Sequence, residues 1–132
     1  MYFVRQLVKL NIDNKILELF YTSVVQSVIS FSITCWFGNC TMESKNKLSK
    51  IIKYCSKLGV QNVQSLSEIY DKYSLHRCNI IYNDCEHPLN CNYKILPSGR
   101  RLECIKSRTS RYARSFVPNS IKLINNEHSF KL

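Results

Sequence analysis

Glycine and proline are scarce in this sequence, with three residues of each among 132. Because turn-rich β folds depend on both residues, their scarcity favours long helices. Hydrophobic residues make up 45% of the chain, which is enough for one modest core and argues against wholesale disorder. We therefore expect a small all-α protein.

Acidic residues are also few, and this limits the chemistry that the chain can perform. The sequence has no Asp-Asp pair for the two metal ions of a polymerase, no His-x-Asp for an iron site, and no glycine-rich loop for a nucleotide or methyl donor. A cysteine–histidine nucleophile stays open, although no local pattern supports one. We predict a protein that is not an enzyme, with no catalytic residues and no cofactor.

Seven cysteines, an odd number at irregular spacings, favour free thiols in a reducing compartment over a disulfide framework. Cys78, Cys85, His87 and Cys91 are spaced C-x6-C-x-H-x3-C, which does not match the ligand spacings of zinc modules. Incidental thiols are the better interpretation, so no metal site is predicted.

The chain opens without the basic, apolar and small-residue pattern of a secretory signal. Polar residues interrupt the apolar stretch 16–37, which is typical of a core helix and not of a bilayer span. We predict an intracellular protein, nuclear or cytoplasmic, that is neither secreted nor transmembrane and has no membrane partner.

Apolar periodicity predicts helices over 2–10, 15–37, 42–58, 65–83 and 119–125. Asn11 or Asp13 can cap the second of these helices and Gly38 can end it. Thr41 can cap the third, and Ser65 with Glu68 forms a capping box that opens the fourth. The second helix has so wide an apolar surface that we expect burial on most sides. Its main stripe consists of Ile16, Leu19, Phe20, Val24, Val28 and Phe31, and Leu17, Val25, Ile29, Ile33 and Trp36 widen it. The fourth helix is expected to bury Leu66, Ile69, Tyr70, Tyr73, Ile80 and Ile81.

The predicted organisation is a helical bundle over 1–83, followed by a loop and a basic, partly irregular tail over 84–132. In 42–58 the lysines fall opposite the apolar stripe, as expected for a solvated face. Pro88, Pro97 and Gly99 mark 84–100 as loop.

Basic residues are concentrated near the C-terminus. The stretch 94–122 holds eight basic residues against Glu103 alone, which is most of the chain's formal charge of +10. Arginine presents a fixed fork of donors that matches phosphate oxygens. The candidate nucleic-acid-binding residues are Arg100, Arg101, Lys106, Arg108, Arg111 and Arg114.

Tyr93, Tyr112 and Phe116 are interleaved with these residues and could stack on bases. The competing interpretation is a solvated or disordered basic tail, because blocks of like charge often behave in that way.

Several phrases of the sequence, in the same order, resemble the region beyond the catalytic palm of non-LTR (LINE-type) retrotransposon reverse transcriptases. They are YFVRQLVKL (2–10), KILELFYTSVVQSVISFSITCWFGN (15–39), KLSKIIKYCSKLG (47–59), SLSEIY (65–70), HPLN (87–90), ILPSGRR (95–101) and RTSRYARSFVPNSIKLIN (108–125). The resemblance implies a thumb-like bundle that grips nucleic acid, with RNA or DNA backbone as the partner of the basic positions. The palm aspartates have no counterpart here, so it implies a non-catalytic fragment.

Residues 1–38 also resemble the domain named for the N-terminus of an AlkB-homologue alkylated-DNA repair protein. That name implies 2-oxoglutarate dioxygenase or methyltransferase activity, but the residues that either chemistry requires are missing. A further alternative is a helical protein–protein interaction module that binds a partner through the apolar surface of the first two helices. We expect such a module to show a large exposed apolar patch on 15–37.

Overall fold

The computed structural model of the chain describes residues 2–126. Its α-helices are α1 (Tyr2–Lys9), α2 (Asn14–Phe20), α3 (Ser27–Ser30), α4 (Ile33–Trp36), α5 (Met42–Lys57), α6 (Leu66–Asn83), α7 (Ser110–Ala113) and α8 (Phe116–Asn126). Within the described residues there is no strand, and Ile95 and Leu102 form an isolated β-bridge in a loop. The all-α prediction is confirmed.

The first two helices are separated by a short turn. Asn11 takes a positive φ of 49°, which asparagine tolerates better than most residues. Asp13 then caps α2, and its side chain accepts a hydrogen bond from the Lys15 amide at 3.4 Å. Of the two residues that the sequence offered as caps, Asp13 is the one that acts as the cap.

The helix predicted over 15–37 is interrupted. A π-helical segment, Tyr21–Gln26, joins α2 to α3, and the chain turns at Phe31 and Ser32 before α4. Ser32 has a φ of 47°, a left-handed conformation that ends the regular helix. Because neither glycine nor proline marks this break, the sequence carried no signal for it.

The first compact unit comprises the residues up to Ile33 together with Cys40–Ile69. Its core is formed by Val4, Leu17, Tyr21, Cys55 and Val60. Helix α5 supplies its apolar side to the unit, while its four predicted outward lysines, Lys47, Lys50, Lys53 and Lys57, are exposed as expected.

The second compact unit comprises Thr34–Asn39 and the residues from Tyr70 onwards. Its core contains Cys78 and Ile81 from α6, Tyr93 and Leu102 from the following loops, and Ile121 and Ile124 from α8. Four of these six core residues therefore lie in the predicted tail. The division of the chain into domains 1–83 and 84–132 stays a prediction, because a compact packing unit need not coincide with a domain.

Helix α6 begins at the predicted capping box. The Glu68 amide donates to Ser65 Oγ at 3.2 Å, and the Ser65 amide donates to Glu68 Oε2 at 2.9 Å. The predicted burial of Leu66, Ile69, Tyr70 and Ile81 is confirmed.

The predicted burial of Tyr73 and Ile80 is wrong, since both are exposed. Ser74 and Cys78 take their place, because positions four apart from Tyr70 lie on the inward face of the helix. A small polar side chain on that face was not recognisable from apolar periodicity alone.

The predicted burial of the main stripe of the second helix is also wrong for five of its six residues. Ile16, Leu19, Val24, Val28 and Phe31 are exposed. The buried residues are Leu17, Tyr21, Ile29 and Ile33, of which Leu17, Ile29 and Ile33 belong to the residues predicted to widen the stripe. An apolar surface this wide contained two alternative buried faces, and the sequence pattern does not choose between them.

Two isoleucines of the second unit test this core assignment. Ile121 is fully buried, and its replacement by alanine should lower the free energy of unfolding by about 2–5 kcal/mol through lost burial and a residual cavity. Ile80 is 46% exposed, so Ile80→Ala should cost less than about 1 kcal/mol. Urea denaturation followed by circular dichroism measures both. Equal costs would contradict the placement of α8 in the core.

Candidate nucleic-acid interface

Arg100 and Arg101 lie at the end of a tight turn in the second unit. Gly99, at a φ of +68°, donates its amide to the Leu96 carbonyl at 2.8 Å. The Leu96 amide donates in turn to the Arg101 carbonyl at 2.9 Å. Arg100 and Arg101 follow Gly99 directly, and both side chains are exposed.

The chain directly after this turn is fixed to α8. Leu102 is buried in the core of the second unit. The side chain of Asn125 binds both backbone groups of Leu102: its Oδ1 accepts from the amide at 2.9 Å, and its Nδ2 donates to the carbonyl at 3.0 Å. The position of Arg101 is therefore set by a buried neighbour and by two hydrogen bonds from a helix.

Three of the predicted arginines lie in or next to the single-turn helix α7. Arg111 is part of it, Arg108 lies two residues before it, and Arg114 follows it directly. Thr109 caps this helix by accepting from the Tyr112 amide at 3.3 Å. The three arginine side chains are exposed, as is Lys106 in the preceding segment.

Gly38 fixes the backbone at Arg114. A Cβ atom at Gly38 would lie 2.0 Å from the Arg114 carbonyl oxygen, so no other residue fits this contact without a shift of the backbone. The sequence suggested only that Gly38 ends a helix. Its role in letting two backbone segments approach had no signal, because the two residues are far apart in the chain.

The predicted nucleic-acid-binding residues are all cationic. All six predicted residues, Arg100, Arg101, Lys106, Arg108, Arg111 and Arg114, are exposed. None of them forms an ion pair with a carboxylate of residues 2–126. We refer to these six side chains as the basic surface. Its guanidinium and ammonium groups keep their donors available for anionic oxygens.

The three aromatic residues predicted to stack on bases differ in their exposure. Tyr112 is 45% exposed and is available for stacking. Tyr93 is only 4% exposed, so the prediction is wrong for this residue, whose ring belongs to the core of the second unit. Phe116 is half-buried and packs against the same core.

Tyr93 belongs to a buried chain of hydrogen bonds. The Ser120 hydroxyl donates its one hydrogen to the Val117 carbonyl at 2.9 Å, so the Tyr93 hydroxyl donates to Ser120 Oγ at 3.0 Å. Burial raises the pKa of Tyr93 well above its ordinary value.

The cysteines and histidine of 78–91 are spread over different environments. Cys78 is buried in the core, and burial raises the pKa of its thiol. Cys85 and Cys91 are exposed, and His87 Nδ1 accepts a hydrogen bond from the Leu89 amide at 3.1 Å. In the part of the chain that the structure describes, no three His, Cys, Asp or Glu side chains are grouped so that they could hold a metal ion.

Comparison with known proteins gives one partial match. The sequence model of the family described as "Alkylated DNA repair protein alkB homolog 8, N-terminal" matches residues 1–27, which contain α1, α2 and the whole π-helical segment. The match covers about a fifth of the chain, so it shows similarity of that segment alone. No curated protein and no solved structure matches the chain.

One described segment, Asn14–Asn39, is long and apolar enough to cross a bilayer by length and composition. Core helices of soluble proteins and N-terminal signal sequences satisfy the same criteria, so one such segment does not identify a membrane protein. Only 22% of its most apolar window is buried within the fold.

The buried Tyr93 predicts a loss of stability at high pH. The unfolded chain ionises a tyrosine near its ordinary pKa of about 10, whereas folded Tyr93 keeps its proton, so its stabilising contribution is present below pH 10 and declines above it. At pH 10.5 this loss is about 0.8 kcal/mol. Tyr93→Phe should remove that part of the pH dependence.

The matched control is Tyr112→Phe, at the exposed tyrosine of the same unit. Urea denaturation at pH 8 and pH 10.5 gives the change for each protein. If Tyr93→Phe and Tyr112→Phe lose stability equally between the two pH values, Tyr93 is not buried as described.

Proposed function

We propose that the chain is a non-catalytic nucleic-acid-binding protein that contacts the phosphate backbone of RNA or DNA through its basic surface. The observation that carries the proposal is a set of six exposed cationic side chains that form no ion pair with a carboxylate of residues 2–126, with the backbone at Arg101 and at Arg114 held by contacts within the second unit. Cations on a fixed backbone lose less conformational entropy when they bind phosphates than cations on a disordered tail.

The chemistry of these side chains fits phosphate better than other anions. Five of the six are arginines, which bind phosphate oxygens through two parallel hydrogen bonds. Tyr112 lies between Arg111 and Arg114 and is exposed, so it can stack on an unpaired base next to a bound phosphate. These contacts read the backbone and not the base sequence, so the binding is expected to be non-specific.

The resemblance to the thumb region of LINE-type reverse transcriptases supports the same function, since that region contacts the template–primer duplex. We propose this ancestry for the chain, as a fragment without the catalytic palm. The comparisons with known proteins do not bear on it. Because the fragment holds neither palm aspartates nor a glycine-rich nucleotide loop, we propose no polymerase activity for it.

A second candidate function rests on the match of residues 1–27 to the AlkB-homologue N-terminal family. In this alternative the chain is an accessory domain of that type, without the residues of dioxygenase or methyltransferase chemistry. Release of succinate from 2-oxoglutarate, in the presence of iron and alkylated DNA, would show that the chain is itself an enzyme and would contradict both candidates.

The interaction-module alternative was expected to show an exposed apolar patch on 15–37. The structure has such a patch, formed by Ile16, Leu19, Val24, Val28 and Phe31. Exposure indicates a binding surface, but it does not by itself make the partner a protein, because membranes bind surfaces of the same kind.

Replacement of the five arginines by alanine tests the principal proposal. The wild type should bind single-stranded RNA and duplex DNA with an affinity that falls steeply with salt, because each phosphate contact releases counterions. Arg100, Arg101, Arg108, Arg111 and Arg114 changed together to alanine should abolish binding at 150 mM salt. Fluorescence anisotropy with labelled oligonucleotides between 50 and 200 mM salt measures the effect.

A five-lysine variant separates the basic surface from charge in general. Lys9, Lys47, Lys50, Lys53 and Lys57 are exposed, and their replacement by alanine removes the same charge from the other compact unit. This control should retain most of the affinity and of the salt slope. Tight binding that ignores salt, or equal losses in the two variants, would refute the assignment of the basic surface.

A further inference from the structure

Five large apolar side chains lie on the outer side of the helical segment from α2 to Phe31. They are Ile16, Leu19, Val24, Val28 and Phe31, which we call the outer apolar face, and they are between 49% and 77% exposed. The residues that the same segment buries, such as Leu17 and Tyr21, belong to the core of the first unit. The segment is therefore apolar on two sides, and the core covers one of them.

The serine and threonine hydroxyls of this segment bond to its own backbone. Ser23 Oγ donates to the Leu19 carbonyl at 2.7 Å, and Ser27 Oγ donates to the Ser23 carbonyl. Thr22 Oγ1 lies 3.0 Å from the carbonyls of both Glu18 and Leu19. Because these hydroxyls bond to the helix backbone, covering them with an apolar phase leaves no donor unsatisfied.

Charge is absent along the face and present at one end of it. No charged residue lies between Glu18 and Glu43 in the sequence. Glu18 accepts a hydrogen bond from Asn62 Nδ2 at 3.1 Å, which ties the carboxylate to the protein. Lys15, one turn before Leu19, and Lys9 at the end of α1 are both exposed. At the N-terminal end of the face Lys9 and Lys15 are balanced by Asp13 and Glu18, and the surface beyond them is uncharged.

The chain's charge decides which partner fits this face. Two copies of a protein with a formal charge of +10 repel each other, and five side chains of one helical segment are few compared with the 20–30 residues a side of a standard protein interface. An anionic bilayer surface attracts the same charge, and a lipid surface needs no matched shape. A helical segment with an exposed apolar face, in a chain of high positive charge, is suited to lie in the interface of an anionic membrane.

We propose that the outer apolar face binds the surface of an anionic lipid bilayer, with the segment lying in the plane of the interface. The apolar residues that it uses differ from those of the nucleic-acid proposal, although both proposals draw on the positive charge of the chain. A membrane span is not proposed, because inserting the whole segment would remove Leu17 and Tyr21 from the core that they form with Val4, Cys55 and Val60. The sequence-based prediction of no membrane partner assumed that this stripe was buried.

Vesicle co-sedimentation tests the proposal. The full chain is mixed with unilamellar vesicles of phosphatidylcholine alone, or of phosphatidylcholine with one third phosphatidylglycerol, in 150 mM salt. We expect binding to the anionic vesicles and at least tenfold weaker binding to the neutral ones. Val28→Ser combined with Phe31→Ser should weaken binding to the anionic vesicles at least tenfold.

The matched control combines Met42→Ser with Ile80→Ser, two exposed apolar residues outside the face. It should bind anionic vesicles like the wild type. Both double variants should keep the far-ultraviolet circular dichroism and the oligonucleotide affinity of the wild type, since they alter exposed side chains away from the basic surface.

Three results would overturn the proposal. One is a wild-type chain that does not bind the anionic vesicles. Another is binding that Val28→Ser with Phe31→Ser leaves unchanged, because the vesicles would then be bound by the basic residues alone. The last is a concentration-dependent dimer in sedimentation velocity that the same variant abolishes, which would assign the face to a second copy of the chain.

Discussion

The attachment of the chain around Arg100 and Arg101 to the core of the second unit is the constraint on which the rest of the account depends. Leu102 is buried there, and Asn125 of α8 binds both of its backbone groups. Tyr93, on the other side of the turn, is held by Ser120 of the same helix. Without these contacts, the stretch from Tyr93 to Leu102 would have no fixed arrangement, and neither would the two arginines in it, Arg100 and Arg101.

Local sequence chemistry predicted α1, α5 and α6 and their starts. The capping box at Ser65 and Glu68 and the cap at Thr41 depend on residues within one turn of each other, so their pattern is visible in the sequence. The lysine face of α5 follows from the same local periodicity. The exposure of the six basic residues was also expected, because charged side chains are rarely buried without a partner.

Contacts between distant residues were not predictable in the same way. Asn125 and Leu102 are 23 residues apart, and Tyr93 and Ser120 are 27 apart, so nothing local marks them as partners. Gly38 and Arg114, whose backbones approach closely, are still further apart in the sequence. The burial of the second predicted helix was misjudged for a related reason: its apolar residues cover two faces, and only tertiary packing selects Leu17 and Tyr21 for the core.

The two compact units present surfaces of different chemistry. The first unit carries the outer apolar face, and residues 1–27 of the family match lie within it. The second unit carries the basic surface, which no comparison covers. The proposed nucleic-acid binding and the proposed lipid binding therefore rest on separate residues, and either one can fail without the other.

Amide hydrogen exchange over 94–114 tests most directly whether the arginines are held on a folded scaffold. The amides of Leu96, Leu102 and Glu103 donate to Arg101, Asn125 and Lys94. Protection of these three amides, lost together with that of α8 in Ile121→Ala, is the result that the account predicts. Exchange of all three at the rate of an unstructured peptide, while α6 stays protected, would contradict it.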